Sequence, residues 1–166
     1  MTDNFPTLSR FHELLRYEPE TGKLFWKAVT SNRTKVGREA GSITKSGYRS
    51  LMVDGYRFLS HRVIFLMQNG AWPIQCIDHM DGDRLNNRIS NLRECSIQTN
   101  NENKQSLVSK NSTGVTGVYP AGKRFAAKIG IGGKSKHIGN FDTVAEAQKA
   151  YLDAKTKFHK GFVKWA

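Results

Sequence analysis

The chain has 166 residues, a formal net charge of +12 and 38% hydrophobic residues. This length suits one medium domain or two small ones, and the apolar content argues against a disordered chain. The charge favours a nucleic-acid partner or an anionic membrane surface. Because no apolar run could span a membrane and MTDNFPTLSR lacks a secretory-signal pattern, we expect a cytoplasmic protein that does not enter a membrane.

The N-terminal residues, 1–73, predict a mixed β/α segment. Its apolar runs alternate between helical and strand-like spacing, separated by turn residues. The predicted elements are a helix over 8–17 capped by Thr7, a strand after a turn at Gly22, a hairpin around Asp54-Gly55, and a helix that Ser60 opens and Gly70 ends.

The central residues, 74–107, predict a compact ββα arrangement. A short apolar run precedes Asp78, a polar loop follows it, and ISNLREC predicts a second strand. Ser96 is placed to cap a polar helix, IQTNNENKQ. The small, polar residues 108–114 then predict a linker.

The last segment, 115–166, predicts three antiparallel strands packed on one helix. Thr143 and Glu146 have the spacing of a capping box at the start of that helix. In the strand KRFAAKIGI the apolar side chains alternate with Lys and small residues, so one face should pack on the helix and the other should stay open. The whole chain is therefore predicted to be α+β.

Positive charge is concentrated at the two ends of the chain. Residues 1–73 carry eleven Lys and Arg against six Asp and Glu, and residues 111–166 carry ten against three. Residues 74–110 carry five of each and hold the densest acidic cluster, IDHMDGDRLNNR. A protein that only binds or packages nucleic acid does not need such a centre, so the pattern favours chemistry on the bound polyanion.

Four polar residues in the centre suit hydrolysis of a phosphodiester. Such a reaction needs a base for water and a hard cation beside the phosphate, and the cation takes oxygen ligands. His79 suits the base because its ordinary pKa is near 6.5. Asp78 and Asn100 offer a carboxylate and an amide oxygen on different predicted elements, and Asn91 lies between them.

The stretch IDHMDGDRLNNRISNLRECSIQTNNENK resembles the HNH homing-endonuclease family, in particular its phage and intron-encoded members, and the likeness extends over about 45–104. It implies a ββα-metal fold with His79 as general base and Asp78 as metal ligand. It further implies Asn91 as the residue that braces the loop and orients the histidine backbone, and Asn100 as second metal ligand, with the adjacent Asn101 as the alternative. Many relatives have a histidine ligand at the position of Asn100, and an amide there favours Mg²⁺, with Mn²⁺ as the alternative.

The sequence leaves two interpretations open for Arg93, which could clamp a DNA phosphate or pair with an acid of the loop. Asp81 and Asp83 are expected to form turns around Gly82, and His61 with Arg62 is expected to anchor the N-terminal segment. The two cysteines, nineteen residues apart, are expected to be ordinary thiols rather than zinc ligands or a disulfide.

The C-terminal pattern TGVTGVY…GKRFAAKI…KHIGNFDTVAEAQKAYLDA resembles the ERF-type (APETALA-two) DNA-binding domain over about 113–155. The resemblance implies a sheet face that enters the major groove. Arg and Trp, common in that family, are replaced here, so we expect phosphate contacts more than stringent sequence readout. The DNA-facing positions it implies, together with two further lysines expected to bind phosphates, are Thr116, Tyr119, Lys123, Lys128, Lys134, Ser135, Lys136 and His137.

These observations predict a monomeric, metal-dependent endonuclease that cuts double-stranded DNA and homes with a phage or mobile element in the host cytoplasm. The first alternative is a DNA-binding regulator with a silent nuclease centre. A second alternative is a nucleic-acid-packaging protein, which fits less well because residues 74–110 carry no net charge.

Overall fold

The computed structural model describes residues 5–32, 34–103 and 112–163. It has four helices and ten short strands in small antiparallel sheets within these ranges, which confirms the α+β class. The chain divides into two compact units, an N-terminal unit of residues 1–96 and a C-terminal unit of residues 97–166. None of the helices in the described ranges is long and apolar enough to cross a membrane.

The described residues of the N-terminal unit, 5–32 and 34–96, form two helices and seven strands. Its elements are α1 (Leu8–Leu14), β1 (Leu15–Glu18), β2 (Lys23–Trp26), β3 (Ser42–Ile43), β4 (Arg49–Val53), β5 (Tyr56–Leu59), α2 (Ser60–Asn69), β6 (Cys76–His79) and β7 (Leu92–Cys95). A short 3-10 turn, Ile89–Asn91, leads into β7. The strands form three separate antiparallel groups: β1 with β2, β3 with β4 and β5, and β6 with β7.

Helix α1 is shorter than the sequence predicts. It ends at Leu14, whereas the apolar spacing predicts a helix to residue 17. The chain becomes extended at Leu15 because β1 pairs with β2, which places Leu15 opposite Trp26 with both side chains buried. This pairing between strands overrides the helical periodicity of the local sequence.

The hairpin of β4 and β5 agrees with its prediction. Asp54 and Gly55 join the strands with φ of 48° and 87°, the left-handed conformation that a two-residue turn of this kind needs. Helix α2 follows directly and ends at Gly70, also left-handed at φ 77°. Ser60 is the first residue of α2, but its side chain makes no capping hydrogen bond.

One apolar core holds these groups together. Phe11 of α1, Leu24 of β2, Val53 of β4 and Ile64 of α2 are at most 1% exposed. Ile77 of β6 and Leu92 of β7 belong to the same cluster. The strand pair β6–β7 is therefore fixed to the rest of the N-terminal unit by buried side chains, which makes it a rigid support for the polar loop between them.

The C-terminal unit contains α3 (Ile97–Asn103), β8 (Val118–Ala121), β9 (Arg124–Ile131), β10 (Lys134–Phe141) and α4 (Val144–Phe158). The three strands form an antiparallel sheet with β9 in the middle. Thr143 caps α4, and the reciprocal contacts with Glu146 complete the predicted capping box. Ala127 and Ile129 of β9 pack with Ala147 and Tyr151 of α4, as the alternation in β9 predicts.

The compact units do not divide where the sequence places its domains. Helix α3, predicted as the last part of the central unit, belongs to the C-terminal unit. Glu102 accepts a hydrogen bond from the backbone of Gly161 at 3.0 Å, and Asn103 accepts one from Val163 at 3.2 Å. Most of the predicted linker, 108–111, lies outside the described residues, so the functional boundaries stay a prediction.

Candidate active site

Asp78 and His79 occupy the end of β6, each 5% exposed. The antiparallel register places Asp78 opposite Arg93 and His79 opposite Leu92 on β7. Because adjacent residues of a strand point to opposite faces, the two side chains leave β6 on different sides. The polar loop begins directly after His79, so the site lies where the rigid strand pair meets the loop.

Asp78 is paired with Arg93. Nη2 and Nε of Arg93 donate to Oδ2 of Asp78 at 2.7 and 3.0 Å. The Asp78 side chain is 6% exposed and that of Arg93 is 25% exposed, so the pair is largely shielded from water. Of the two interpretations that the sequence leaves open for Arg93, the structure has the ion pair, although with the strand residue Asp78 and not with a loop acid.

His79 is hydrogen-bonded to a residue of the loop. Its Nε2 lies 2.9 Å from Oδ1 of Asn87, and both side chains are buried. An amide oxygen can only accept, so Nε2 donates in this bond. The ring of His79 also contacts the ring of His61, with centroids 5.0 Å apart and planes near perpendicular, and the ring of Tyr48 at 5.9 Å.

His61 is a buried neutral neighbour of this ring. Burial lowers its pKa to about 3, with smaller contributions from His79 and from Arg62. Arg62 donates to the backbone oxygens of Pro73 and Gln75, at 3.1 and 3.4 Å, so it anchors the segment before β6. His61 therefore packs against the candidate base as an uncharged ring.

Asn91 holds the loop in shape. Its Oδ1 accepts from the backbone of Asp81 at 3.1 Å, and its Nδ2 donates to Oδ1 of Asp81 at 2.9 Å and to the carbonyl of Asn86 at 2.8 Å. Its own carbonyl accepts from the backbone of Met80 at 2.9 Å, next to His79. These contacts fit the role that the family resemblance implies for Asn91, which stays a prediction for catalysis.

Asp81 and Asp83 build turns within the loop. Asp81 accepts from the backbone of Asp83 at 2.9 Å, and Asp83 accepts from the backbone of Leu85 at 2.9 Å. Burial alone would raise the pKa of Asp81, but hydrogen bonds from Asn86 and Asn91 together lower it. Both carboxylates thus have a structural use inside the loop.

The β1–β2 hairpin packs against the polar loop between β6 and β7. The hydroxyl of Tyr17 accepts from the backbone of Ile89 at 2.9 Å, and Nε of Arg88 donates to the carbonyl of Glu20 at 2.7 Å. A Cβ at Gly22 would lie 2.5 Å from the backbone nitrogen of Arg88. Only glycine permits this approach, so the predicted turn residue also sets where the loop runs.

Asn100 lies on α3, half-buried, in the C-terminal unit. Its convergence with Asp78 on one ion stays a prediction, because the two residues belong to different compact units. Within 5–32, 34–103 and 112–163 no three His, Cys, Asp or Glu side chains form a metal-binding group. The proposed metal ligands, one carboxylate and one amide, are not a group of this kind.

The predicted DNA-facing residues of the C-terminal unit lie on both sides of its sheet. Residues paired across antiparallel strands share a face. Lys128 pairs with His137 and Gly130 with Ser135, on the face away from α4, and Tyr119 pairs with Ala126 on that same face. Its ring lies 5.9 Å from the Lys128 ammonium.

Two of the predicted lysines point the other way. Lys134 pairs with Ile131, and Lys136 with Ile129, whose side chains pack towards α4. The ammonium of Lys136 lies over the ring of Phe158 at 4.8 Å. Of the remaining predicted positions, Lys123 is exposed in the β8–β9 turn, and half-buried Thr116 lines a small pocket with residues of α4.

Three neighbours of His79 are not predicted by the sequence, namely Asn87, His61 and Tyr48. Asn87 lies in the acidic stretch, but nothing in the sequence indicates that this polar residue of a loop is buried. His61 is expected only to anchor the N-terminal segment, although its position on α2 brings it to the His79 ring. The one available signal is the amphipathic pattern of α2, which places His61 on the side that faces the core.

The model of the HNH endonuclease family matches residues 58–102. This segment runs from β5 through α2, β6, the loop and β7 into α3, so it contains every residue discussed around His79 except Tyr48 and those of the β1–β2 hairpin. The match supports a nuclease function and ends before the sheet of the C-terminal unit. Searches of curated proteins and of solved structures gave no match.

Proposed function

We propose that the chain is a metal-dependent DNA endonuclease that hydrolyses phosphodiester bonds. The observation that carries the proposal is the buried His79 at the end of β6, hydrogen-bonded through Nε2 and bordered by Asp78, inside the segment that matches the HNH endonuclease family. Histidine is the side chain that most often serves as general base in such reactions. His79 is then the general base, and Asn91 keeps the adjoining loop in place.

A divalent cation would complete the site, because nucleases of this family generally use one. Asp78 fits as a ligand because it places a carboxylate beside the candidate base at the end of β6, and carboxylate oxygens are donors that hard cations prefer. Asn100 would add an amide oxygen, and such hard donors suit Mg²⁺ or Mn²⁺. When bound, the ion would stabilise charge on the phosphate and on the departing oxygen.

The C-terminal unit would hold the DNA, in the manner of the ERF-type domain that it resembles. Its open sheet face carries Lys128, His137, Ser135 and Tyr119, all exposed. The resemblance of residues 45–104 to phage and intron-encoded nucleases supports a homing role, and a monomer with its single catalytic centre would nick the DNA. Double-stranded DNA is accordingly the proposed partner of both units.

The test is cleavage of supercoiled DNA by the purified chain with Mg²⁺, with EDTA, and by His79→Ala with Mg²⁺. We expect nicking or linearisation only in the first sample, with DNA binding retained by His79→Ala. Binding without cleavage in all three would sink the nuclease proposal and favour a DNA-binding regulator with a silent centre. Cleavage by His79→Ala would remove His79 as the base.

A further inference from the structure

We infer that Arg84 binds a backbone phosphate of the DNA strand at the candidate active site, one that flanks the bond to be cut. This inference rests on the proposed nuclease function and names a part of its DNA-binding surface. Arg84 lies in the polar loop between β6 and β7, and neither family resemblance assigns it a role.

The guanidinium of Arg84 is held in position although the residue is exposed. It lies over the ring of Tyr48, with Cζ 5.0 Å from the ring centroid, and Nη1 donates to the carbonyl of Ser46 at 2.7 Å. Its Cδ lies close to Gly47, where an added Cβ would be 3.7 Å away. A long side chain that is already fixed loses less conformational entropy when it binds a ligand.

The residues that hold Arg84 belong to a hydrogen-bonded turn between β3 and β4. The backbone of Gly47 donates to the carbonyl of Thr44 at 2.9 Å, and the backbone of Thr44 donates to the carbonyl of Tyr48 at 2.7 Å. The hydroxyl of Thr44 also accepts from the backbone of Tyr48 at 3.2 Å. The ring and the carbonyl that contact Arg84 are therefore themselves held in place.

Arg84 keeps most of its hydrogen-bonding capacity for a ligand. A guanidinium has five N–H groups, and within residues 5–32, 34–103 and 112–163 the Ser46 carbonyl is the one acceptor that Arg84 uses. No carboxylate in these ranges forms an ion pair with it. The preceding acid, Asp83, accepts instead from the backbone of Leu85. A planar guanidinium without an acidic partner suits the oxygens of a phosphate.

Arg16 provides a comparison within the same unit. Its guanidinium also lies over an aromatic ring, that of Phe25 at 4.8 Å, and the residue is likewise exposed. However, Nη1 of Arg16 donates to the carboxylate of Glu18 at 3.2 Å. The ring contact is thus common to both arginines, whereas only Arg16 has an acidic partner.

Tyr48 places the Arg84 guanidinium near the candidate base. The ring of Tyr48 contacts both the guanidinium and the ring of His79, so these two groups are no more than about 11 Å apart. Phosphates of one strand recur about every 3.4 Å along the duplex axis, so a strand attacked at His79 passes Arg84 within about three nucleotides. Because Arg84 is tied to the turn and is not hydrogen-bonded to His79 or Asp78, we assign to it a phosphate next to the one that is attacked.

The test compares wild type with Arg84→Met, which removes the charge but keeps an unbranched side chain, and Arg84→Lys, which keeps the charge. Arg16→Met is the matched control. Binding to a fluorescent DNA duplex is measured in EDTA from about 50 to 200 mM salt, because the salt dependence reports the number of phosphate contacts. The second readout is kcat and KM on supercoiled DNA with Mg²⁺.

We expect Arg84→Met to reduce the slope of log affinity against log salt by about 1 and to weaken binding at low salt by about ten-fold. KM should rise by a similar factor while kcat stays within about two-fold, because a flanking contact holds DNA equally before and during the reaction. Arg84→Lys should keep the slope, since an ammonium also binds phosphate. Arg16→Met should keep the slope because Glu18 pairs with that charge.

A measurement on wild type remains decisive if Arg84→Met does not fold. Hydroxyphenylglyoxal modifies exposed arginines, and mass spectrometry locates the modified residues. DNA added in EDTA should protect Arg84 and leave Arg16 as reactive as in the free protein. Equal modification of Arg84 with and without DNA would overturn the inference.

Three further results would also overturn it. An unchanged slope in folded Arg84→Met, with a lower kcat or a lower free energy of unfolding, would mean that Arg84 only ties the loop to the turn. Equal slope losses in Arg84→Met and Arg16→Met would mean an effect of net charge. In both cases cleavage by wild type leaves the nuclease proposal standing, whereas a wild type that never cleaves DNA ends both proposals, whatever its slope.

Discussion

The guanidinium of Arg93 and the carboxylate of Asp78 face each other across β6 and β7, with Nη2 2.7 Å from Oδ2. The acid is the more buried partner, with 6% of its side chain exposed against 25% for Arg93. A carboxylate in such a place needs a cationic or hydrogen-bonding partner, because an unpaired buried charge is costly. The pair thus holds the carboxylate of the proposed metal ligand in one orientation before any ion or DNA arrives.

Arg93→Gln should therefore destabilise the N-terminal unit. Losing a charged hydrogen bond to a buried acid costs about 1.5–3 kcal/mol, and Gln retains part of the side-chain packing. The measurement is the free energy of unfolding in urea, followed by tryptophan fluorescence, since Trp26 and Trp72 both lie in this unit.

The control for this change is Arg16→Gln. Arg16 pairs with Glu18 at 3.2 Å, with side chains 55% and 33% exposed, and a Gln stem can still cover the ring of Phe25. Exposed pairs of this kind contribute less than about 1 kcal/mol. Equal losses from the two variants would contradict a special role for the Asp78–Arg93 pair.

The sequence predicted the elements whose signals are local. The left-handed turn at Asp54-Gly55, the end of α2 at Gly70 and the capping box at Thr143 each depend on residues within a few positions of one another. Leu15 shows the limit, because its extended conformation depends on pairing with β2 and not on its neighbours in sequence.

The candidate site likewise contains residues that the sequence predicts and contacts that it does not. Asp78, His79 and Asn91 are found by their order and spacing in a recognisable stretch. The bond from His79 to Asn87 and the ring contact with His61 depend on how the loop and α2 are packed in space. The register of β9 and β10 places Lys128 on the open side of the sheet and Lys136 on the side of α4. The linear pattern of basic residues does not distinguish these two sides.

Stability should fall in mild acid because of His61. Its folded pKa of about 3 lies below the ordinary value of 6.5, so the unfolded chain binds the proton first as the pH falls. This contribution is fully present above about pH 6.5 and is lost progressively towards pH 3. At about 1.4 kcal/mol per pKa unit, the loss between pH 7 and pH 5 is roughly 2 kcal/mol.

The check is the unfolding free energy of wild type and His61→Gln at pH 7 and pH 5. Glutamine does not titrate, so the difference between the two proteins should shrink by roughly 2 kcal/mol in favour of the variant at pH 5. Parallel pH curves for the two proteins would show that His61 does not carry this dependence.

Gly22→Ala should weaken both the fold and the nuclease site. Gly22 has φ of 70°, and an added Cβ would lie 2.5 Å from the backbone of Arg88 and 2.7 Å from that of Asn87. We expect a cost about 1–3 kcal/mol beyond that of Gly55→Ala, because Gly55 has a similar φ of 87° but no atom within 4 Å of an added methyl group. Urea unfolding gives the difference.

The same two variants separate a general loss of stability from displacement of Asn87. Below the unfolding transition, Gly22→Ala should lower kcat for DNA cleavage, whereas Gly55→Ala should leave it near the wild-type value. If both variants cleave as fast as wild type under those conditions, the hairpin does not control the position of Asn87.

Lys128 should contribute to DNA binding and Lys136 should not. Lys128 lies on the open face of the sheet with His137, whereas Lys136 is on the side of α4, over the ring of Phe158. Removing one phosphate contact reduces the slope of log affinity against log salt by about 1. Binding measured in EDTA over a range of salt should therefore show a smaller slope for Lys128→Gln and an unchanged slope for Lys136→Gln. Because both substitutions remove one positive charge, a general charge effect would lower both slopes equally and would contradict binding through the open face.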